Sequence, residues 1–514
     1  MRIRSSGRRL RPRALTAVAA TAALLATASC GGSGGDSSTG TKTLTLAIQG
    51  APNSFDPAQL VEGTQAYAWS AVFDTLLVVD DKGELQPNAA ESWSYSDDRK
   101  TLTLKLRDGM TFSTGDPVTS AAVKATLERT MSTPSPNQFK LSAVKSVEAP
   151  DERTVVLGLK EPDGALLHSL AMAVGVIGDP KTLDAERTAL NPVGSGPYVL
   201  DESTVNDSTY VLKKRDDHWN ADAYPFETFK IRVIKDRTAT VNALRSGELN
   251  AASVQVDHVD RLESAGFEVE FIDAVAVGAL ALVDRDGEVV EPMSDVRVRR
   301  AISMAFDRDK ILKQLLRGAG RTTQQMFSPK GTAHDPALDK TYTYDPAAAK
   351  KLLAEAGHPD GFAVHMPSLF LTKPFEPTIS QSLAEIGIKV TWDPTPPQNS
   401  VSAVTSKKYG MFVLVDGLNA APIEAKTFIN PDGTRNVFGS TDPELTKLLN
   451  QANAAQDPAK AAELYKRINA FTVENAWFAP IFYSGRHWAT ADGVEFLGDG
   501  SNVFSSVRTF GASG

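Results

Sequence analysis

Hydrophobic and polar residues alternate along several short segments of the chain, and a period of two is typical of strands with one buried face. The alternation is clearest in residues 43–49 and 101–106, and the turn-forming Asp108-Gly109 follows the second segment. Residues 154–159 form a third segment of strand length. No internal repeat of about 20 to 50 residues is visible, so these segments predict several small sheets rather than a solenoid.

Longer segments show apolar residues at the spacing of a helix face. The clearest is 294–316, which is expected to break near Asp307. In 344–357, Asp345 stands where a helix cap is expected and Pro346 occupies the first turn. Further helices are predicted at 119–131, 443–455 and 458–475. The mixture of strands and helices predicts an α/β protein.

The chain is long enough to need more than one hydrophobic core. Its 514 residues predict two or more lobes. Hydrophobic residues make up 42% and charged residues 23%, as in soluble globular proteins. The net charge is −8, and leaving out the six arginines of residues 1–29 makes the remainder −14. An acidic body argues against a nucleic-acid partner, because phosphate binding requires a basic face.

The N-terminus has the composition of an export signal. Residues 1–13 are rich in arginine, residues 14–28 are uncharged and too short to span a bilayer, and Cys30 follows in the sequence Thr-Ala-Ser-Cys. This resembles a bacterial lipobox with Thr27 where leucine is usual, and it predicts a lipoprotein signal peptide at 1–29 with diacylation of Cys30. The Gly/Ser-rich residues 30–42 predict a flexible tether. We therefore expect a lipid anchor at the extracytoplasmic face of the cell membrane; an ordinary signal peptide with an incidental cysteine is the alternative.

Motifs that carry catalysis are absent from the sequence. It has no G-x-x-x-x-G-K-[ST] phosphate loop, no G-x-S-x-G elbow between a predicted strand and helix, and no cysteine besides Cys30. Its seven scattered histidines include no H-E-x-x-H pair, so no metal site is predicted. We therefore expect no catalytic residue, no cofactor and no enzyme activity. A secreted, lipid-anchored hydrolase with paired carboxylates is the alternative, because acidic residues are abundant.

Several short motifs stand in a fixed order along the chain. They are Asn53-Ser54-Phe55-Asp56-Pro57, Val72-Phe73-Asp74-Thr75-Leu76, Pro87-Asn88-Ala89-Ala90-Glu91-Ser92-Trp93, Lys105-Leu106-Arg107-Asp108-Gly109, Gly115-Asp116-Pro117-Val118-Thr119, Val193-Gly194-Ser195-Gly196-Pro197-Tyr198, Asp295-Val296-Arg297-Val298-Arg299-Arg300-Ala301-Ile302 and Tyr344-Asp345-Pro346. In this order and spacing, over about residues 43–485, the chain resembles the extracellular solute-binding proteins of family 5, the peptide- and nickel-type binding proteins of ABC importers.

The resemblance implies an α/β fold of the periplasmic-binding-protein type II-like class, with two lobes and an additional small third domain. The implied segments are lobe I at 43–275 with an extra subdomain at about 61–189, lobe II at 276–485, and a C-terminal return to lobe I at 486–514. The chain would cross between the lobes near 273–282 and 483–489. Such a protein captures an oligopeptide or a similar small solute between its lobes and delivers it to ABC permease subunits. We expect it to act as a monomer.

The resemblance also points to the loop after a strand at 409–415. Peptide-binding relatives have an aspartate there that pairs with the α-amino group of the peptide. By spacing, that aspartate corresponds to Asn419, whereas Asp416 stands earlier, before Gly417. Either Asp416 takes the ammonium-binding role or the solute has no free amine, because an uncharged amide binds an ammonium group less strongly. A plain turn after a strand is the structural alternative for Asp416-Gly417.

Six further side chains are candidates for the walls of the cleft. They are Lys373 and Phe375, which stand where some relatives have Arg-Pro-Tyr, Tyr67 and Trp69 near the first strand, and Asn436 and Phe438 in a segment that resembles part of the second lobe. Burial in the core is the alternative for Tyr67 and Trp69. An opine, an oligosaccharide or a nickel complex is the alternative kind of solute, and the absence of a histidine cluster argues against nickel and haem.

Overall fold

The computed structural model describes residues 41–80, 82–183, 185–396, 399–498 and 505–513; the predicted signal peptide, Cys30 and nearly all of the tether lie outside them. The strands are β1 (Thr43–Ile48), β2 (Leu77–Val79), β3 (Leu85–Pro87), β4 (Ala90–Tyr95), β5 (Thr101–Leu106), β6 (Val144–Asp151), β7 (Thr154–Leu159), β8 (Tyr198–Leu200), β9 (Thr209–Lys214), β10 (Thr228–Val233), β11 (Ala251–Val254), β12 (Glu268–Leu282), β13 (Gly320–Thr322), β14 (Phe362–Ser368), β15 (Ile388–Pro394), β16 (Met411–Gly417), β17 (Phe478–Thr490), β18 (Glu495–Phe496) and β19 (Phe510–Gly511). The helices are α1 (Ala66–Val72), α2 (Ser120–Ser132), α3 (Leu166–Leu170), α4 (Ala185–Thr188), α5 (Arg237–Arg245), α6 (Val259–Glu263), α7 (Val296–Met304), α8 (Arg308–Leu315), α9 (Pro346–Glu355), α10 (Glu376–Glu385), α11 (Ser400–Thr405), α12 (Ala421–Phe428), α13 (Pro443–Ala454) and α14 (Pro458–Glu474). Within these ranges every helix is too short or too polar to cross a bilayer.

Aspartate side chains begin several helices. Asp295, Asp307 and Asp345 accept hydrogen bonds from backbone N–H groups in the first turns of α7, α8 and α9. Each bond satisfies a donor that has no partner inside its helix. Asp307 also accounts for the break predicted within 294–316. It is the last residue between α7 and α8, and its side chain caps α8. The predicted break is therefore confirmed.

The main sheet has the order β16-β12-β17-β11-β1-β10-β9-β8, and β13 pairs with β17. β1 runs parallel to β10 and β11, whereas β17 is antiparallel to β11 and β12, and β16 is antiparallel to β12. A separate antiparallel sheet, β4-β5-β7-β6, packs with α2 and α3 around a core of its own. The described chain therefore divides its apolar residues among several cores.

Two long strands of the main sheet, β12 and β17, each contribute to more than one hydrophobic core. β12 has 15 residues, which corresponds to about 50 Å at ~3.3 Å per residue. Its Ile272 shares a core with Trp488 of β17 and with residues of β1 and α1. Its Leu280 shares a different core with Phe482 of β17 and with residues of α7, α9 and α10. β12 and β17 therefore connect two separately packed halves of the chain.

Candidate functional site at the junction of two long strands

Three segments meet where the pairing of β12 with β17 is interrupted. The register of the two strands shifts between Ile272 and Ala276. Beyond the shift, Ala276 lies opposite Ser484 of β17 on one side and Gly417 of β16 on the other. We call residues 273–276, 416–419 and 484–486 the junction. It lies between the two packed halves, where a cleft for a solute is expected.

The interruption contains a residue with an unusual backbone conformation. Ala274 has a φ of 53°, in the left-handed region that costs a residue with a Cβ atom roughly 1–2 kcal/mol. Its side chain is buried. A backbone in this region persists only where the surrounding packing holds it. The fold therefore sets a fixed change of direction in β12 at the junction.

Two pairs of opposite charges lie at the junction. The Arg435 guanidinium donates to both carboxylate oxygens of Asp416, at 2.6 and 3.1 Å. Arg321 on β13 lies 3.2 Å from the Asp273 carboxylate. Charge-assisted pairs of this kind are stronger than neutral hydrogen bonds, and the bidentate form fixes orientation as well. The charge of Asp416 is therefore already matched by a cation of the protein, and a solute ammonium group would share Asp416 with Arg435.

Arg486 is a third cation at the junction. Its backbone lies opposite Ile272, beside the register shift, and its side chain is half-buried. Among the described residues, none forms a hydrogen bond or an ion pair with its guanidinium. The junction thus combines two neutralised pairs with one positive charge that the protein itself leaves available.

A buried carboxyl group supports the loop that follows β16. The backbone N–H groups of Asn419 and Ser328 donate to the Glu424 carboxyl at 2.9 and 3.1 Å. Burial raises the pKa of Glu424 to about 8, and these two hydrogen bonds oppose the rise. Glu424 stands in the first turn of α12. It therefore ties the loop at the junction to α12 and to the segment around Ser328.

Three of the predicted ligand-binding residues, Asp416, Gly417 and Asn419, come together at the junction. Gly417 is exposed, and Asp416 and Asn419 are half-buried. The Asn419 side-chain amide donates to the Gly417 carbonyl oxygen at 3.2 Å. Both Asp416 and Asn419 thus have protein partners, and their roles toward a solute stay predictions.

Asn436 and Phe438 follow Arg435 but are buried. The Asn436 amide donates to backbone carbonyl oxygens, the nearest being those of Ile429 and Ser440 at 2.9 Å. Its carbonyl oxygen accepts from Arg285 at 2.9 Å. Phe438 is 7% exposed, in the core that also contains Tyr483. Asn436 therefore holds the segment that follows Arg435 in place through buried hydrogen bonds.

The other four candidates are not among the junction residues. Tyr67 and Trp69 are 3% and 1% exposed, so both side chains lie in the core. The Tyr67 ring packs edge-on against Trp488, with 6.1 Å between the ring centres. Lys373 is exposed, and the half-buried ring of Phe375 packs against Phe482 at 5.5 Å.

Three residues that form or support the junction are not among the candidates predicted from the sequence. They are Arg435, Arg486 and Glu424. Arg435 directly precedes the candidate Asn436, and Arg486 lies within the predicted crossing segment 483–489, so chain position carries a signal for both. Glu424 has no such signal, because its contact with Ser328 joins residues 96 positions apart.

A cavity of about 470 Å³ lies elsewhere, lined by residues of α1, β2 and β3 and by Arg508. Four of its lining residues already have protein partners: Arg508 donates to Asn88 at 3.0 Å and to Tyr224 at 2.6 Å, and Asp74 lies 3.2 Å from His218, which is outside the lining. Within the described residues, no three His, Cys, Asp or Glu side chains form a group able to hold a metal ion. The junction is therefore the stronger candidate for a solute site.

The sequence and the fold match a known class of binding protein. The profile of the bacterial extracellular solute-binding proteins, family 5 Middle, matches residues 84–440. The chain belongs to this family of solute-binding proteins. Heme-binding protein A of Haemophilus influenzae is 27% identical over 496 residues, which cover 84% of this chain and 86% of that protein. Glutathione-binding protein GsiB of Escherichia coli is 26% identical over 447 residues, which cover 83% and 86%.

Solved structures give the same result for the fold. The binding protein AgaA of A. tumefaciens R10, in complex with agropinic acid, has a TM-score of 0.80 and 25% identity and covers 92% of this chain and 99% of its own. The Helicobacter pylori periplasmic binding protein DppA, in complex with the peptide STSA, has a TM-score of 0.79 and 22% identity and covers 92% and 98%. The predicted type II-like fold class is confirmed, whereas the residue boundaries of its lobes stay predictions.

Proposed function

We propose that the chain is the solute-capturing lipoprotein of an ABC importer, which closes two lobes on an oligopeptide or a similar small polar solute and passes it to the permease. The lobes would be 43–275 with 486–514, and 276–485, and the extra subdomain would be 61–189. Acyl chains on Cys30 would hold the protein at the extracytoplasmic face of the membrane. Family membership and the fold support this role.

The junction is the observation that carries the proposal. It joins two halves with separate cores, and it collects charged side chains at the same place. A solute bound between the halves would contact both of them, so it would favour the closed arrangement over the open one. Capture of this kind needs no reacting group, because the energy comes from contacts that only the closed form completes.

The pairing of Asp416 supports a second kind of solute. A peptide with a free amine would place its ammonium group beside a carboxylate that Arg435 already holds. A non-peptide solute would avoid that competition, and the related binding protein AgaA is in complex with agropinic acid. The related DppA is in complex with a peptide. The transport role is the same in both cases.

Calorimetric titration of the full chain in mild detergent tests capture. The probes are mixed-sequence tripeptides to pentapeptides, free amino acids as a size control, and maltotriose as a neutral non-peptide control. We expect saturable binding of at least one peptide class and a higher melting temperature of the complex, because a ligand that binds only the folded state stabilises it. Absence of binding by every peptide, together with unchanged peptide uptake in a strain that lacks the gene, would overturn the peptide assignment.

A further inference from the structure

Arg486 lies at the edge of a core that faces the junction. Residues two apart along a strand share a face, so Arg486 lies on the side of β17 that carries Trp488. The Trp488 ring packs against Tyr67 and against Phe510 at 5.1 Å. Burial raises the pKa of Tyr67, and the positive charge of Arg486 opposes that rise. The guanidinium is therefore close to the N-terminal turn of α1 as well as to the register shift in β12.

Two neighbouring acidic groups are already paired with other cations. Asp273 pairs with Arg321 and Asp416 pairs with Arg435. Arg486 has five N–H donors and no bonded acceptor within the described residues. Its half-buried position removes part of the hydration that an arginine on an open surface keeps. A guanidinium in this setting gains more from a planar oxyanion than a hydrated one does, because the fork of donors matches two carboxylate oxygens.

We infer that Arg486 binds a carboxylate group of the captured solute, an inference that rests on the proposed function and narrows its solute to acid-bearing molecules. Arg486 and the two ion pairs, Asp273–Arg321 and Asp416–Arg435, together carry a net charge of one positive unit. A solute with one carboxylate there would complete the charge balance. A neutral solute of the same size would leave the guanidinium partly desolvated and without an acceptor, at a cost in affinity.

Acetate is a small carboxylate probe for Arg486, and acetamide, which has the same shape but no charge, is the control. The full chain, with arginine labelled by ¹⁵N, is titrated with each probe at constant ionic strength, and the Nε signal of Arg486 is assigned by its loss in R486Q. We expect acetate to shift this signal saturably and acetamide to leave it in place. The exposed Arg245 on α5 is the matched control, and its signal should follow only the weak, unsaturated response of a hydrated arginine.

Two variants separate binding from folding. Because the Arg486 signal is lost in these variants, acetate affinity is compared by calorimetric titration. R486Q should weaken acetate binding at least tenfold, which corresponds to about 1.4 kcal/mol, and R486K should lose less because it keeps the charge. R245Q should leave the affinity unchanged. An Arg486 signal that responds no more than that of Arg245 would overturn the inference. The acetate titration needs no lobe closure and no importer. A negative acetate titration would therefore leave capture of a neutral solute possible under the proposed function. Conversely, a failure to bind peptides would not affect the result for carboxylate binding at Arg486.

Discussion

At the scale of single residues, Glu424 shows how the fold alters the chemistry of one carboxyl group. Its side chain is 1% exposed and accepts only backbone N–H groups in the described structure. Burial favours the protonated form, so the pKa rises from an ordinary 4.5 to about 8. In the unfolded chain the same group ionises near the ordinary value. The folded state therefore holds a proton that the unfolded state releases between these two values.

This difference predicts a pH dependence of stability. The contribution of Glu424 is fully present below about pH 4.5 and is lost as pH rises through about pH 8, because over this range the folded state binds the extra proton. The wild type should lose up to about 1.4 kcal/mol of its free energy of unfolding per pH unit, relative to E424Q. Urea denaturation across this range measures the effect. E148Q, at an exposed strand position, is the control, and wild-type and E424Q curves that run parallel would refute the prediction.

At the residue level, the sequence predicts those interactions whose partners lie only a few residues apart. Asp307 and Asp345 can be recognised as caps because the backbone N–H groups that donate to them lie within three residues. Asp416 can be recognised because it follows a run of apolar residues, although the strand itself continues to Gly417. The ion pair that Asp416 forms with Arg435 is not readable, since the two are 19 residues apart and nothing between them fixes the geometry. Candidate residues could therefore be found from pattern, whereas their partners could not.

At the scale of elements, α12 is attached to the segment before α3. Lys426 of α12 lies 2.5 Å from the Asp163 carboxylate, and the two side chains are 5% and 6% exposed. Lys426 also donates to the Lys140 carbonyl oxygen at 3.1 Å. Ile423 of α12 packs with Ala165 and Met172 beside this pair. The contact joins the predicted extra subdomain to the predicted lobe II.

Removal of one partner of this pair should be costly. K426M leaves Asp163 buried without a cation, so we expect a loss of about 3 kcal/mol in the free energy of unfolding. The double variant D163L/K426M should recover most of that loss, because no uncompensated charge remains. Urea denaturation measures both. K124M, which breaks the exposed pair with Glu128, should cost less than about 1 kcal/mol, and a K426M loss no larger than that of K124M would contradict the prediction.

Helices and strands can be predicted from the sequence more accurately than the contacts between them. The strands predicted at 101–106 and 154–159 have the observed bounds, because alternation and a following turn act over a few residues. The contact of Lys426 with Asp163 spans 263 positions. Its formation depends on how two cores pack against each other, and no periodic pattern encodes that distance.

At the scale of the whole molecule, the proposed role requires that the folded body stay near a permease while its halves remain free to close. Within the described residues β12 and β17 both pass between the halves, so the halves can move only as these strands allow. A tether at 30–42 would keep the body close to the membrane without fixing its orientation, because a Gly/Ser-rich segment behaves as a flexible chain. Attachment through acyl chains on Cys30 would complete this arrangement.

Attachment through Cys30 is tested by the variant C30S. A diacylated cysteine carries more than one acyl chain, and each buried CH₂ contributes about 0.8 kcal/mol, which is enough for lasting attachment. We expect the wild type in the membrane fraction, with a modified Cys30 at the N-terminus of the mature chain by mass spectrometry. C30S should leave that fraction, whereas S33A in the tether should stay in it. Equal membrane retention of C30S and wild type would contradict the anchor, and an unmodified Cys30 in a chain released from the membrane would instead support the ordinary signal peptide.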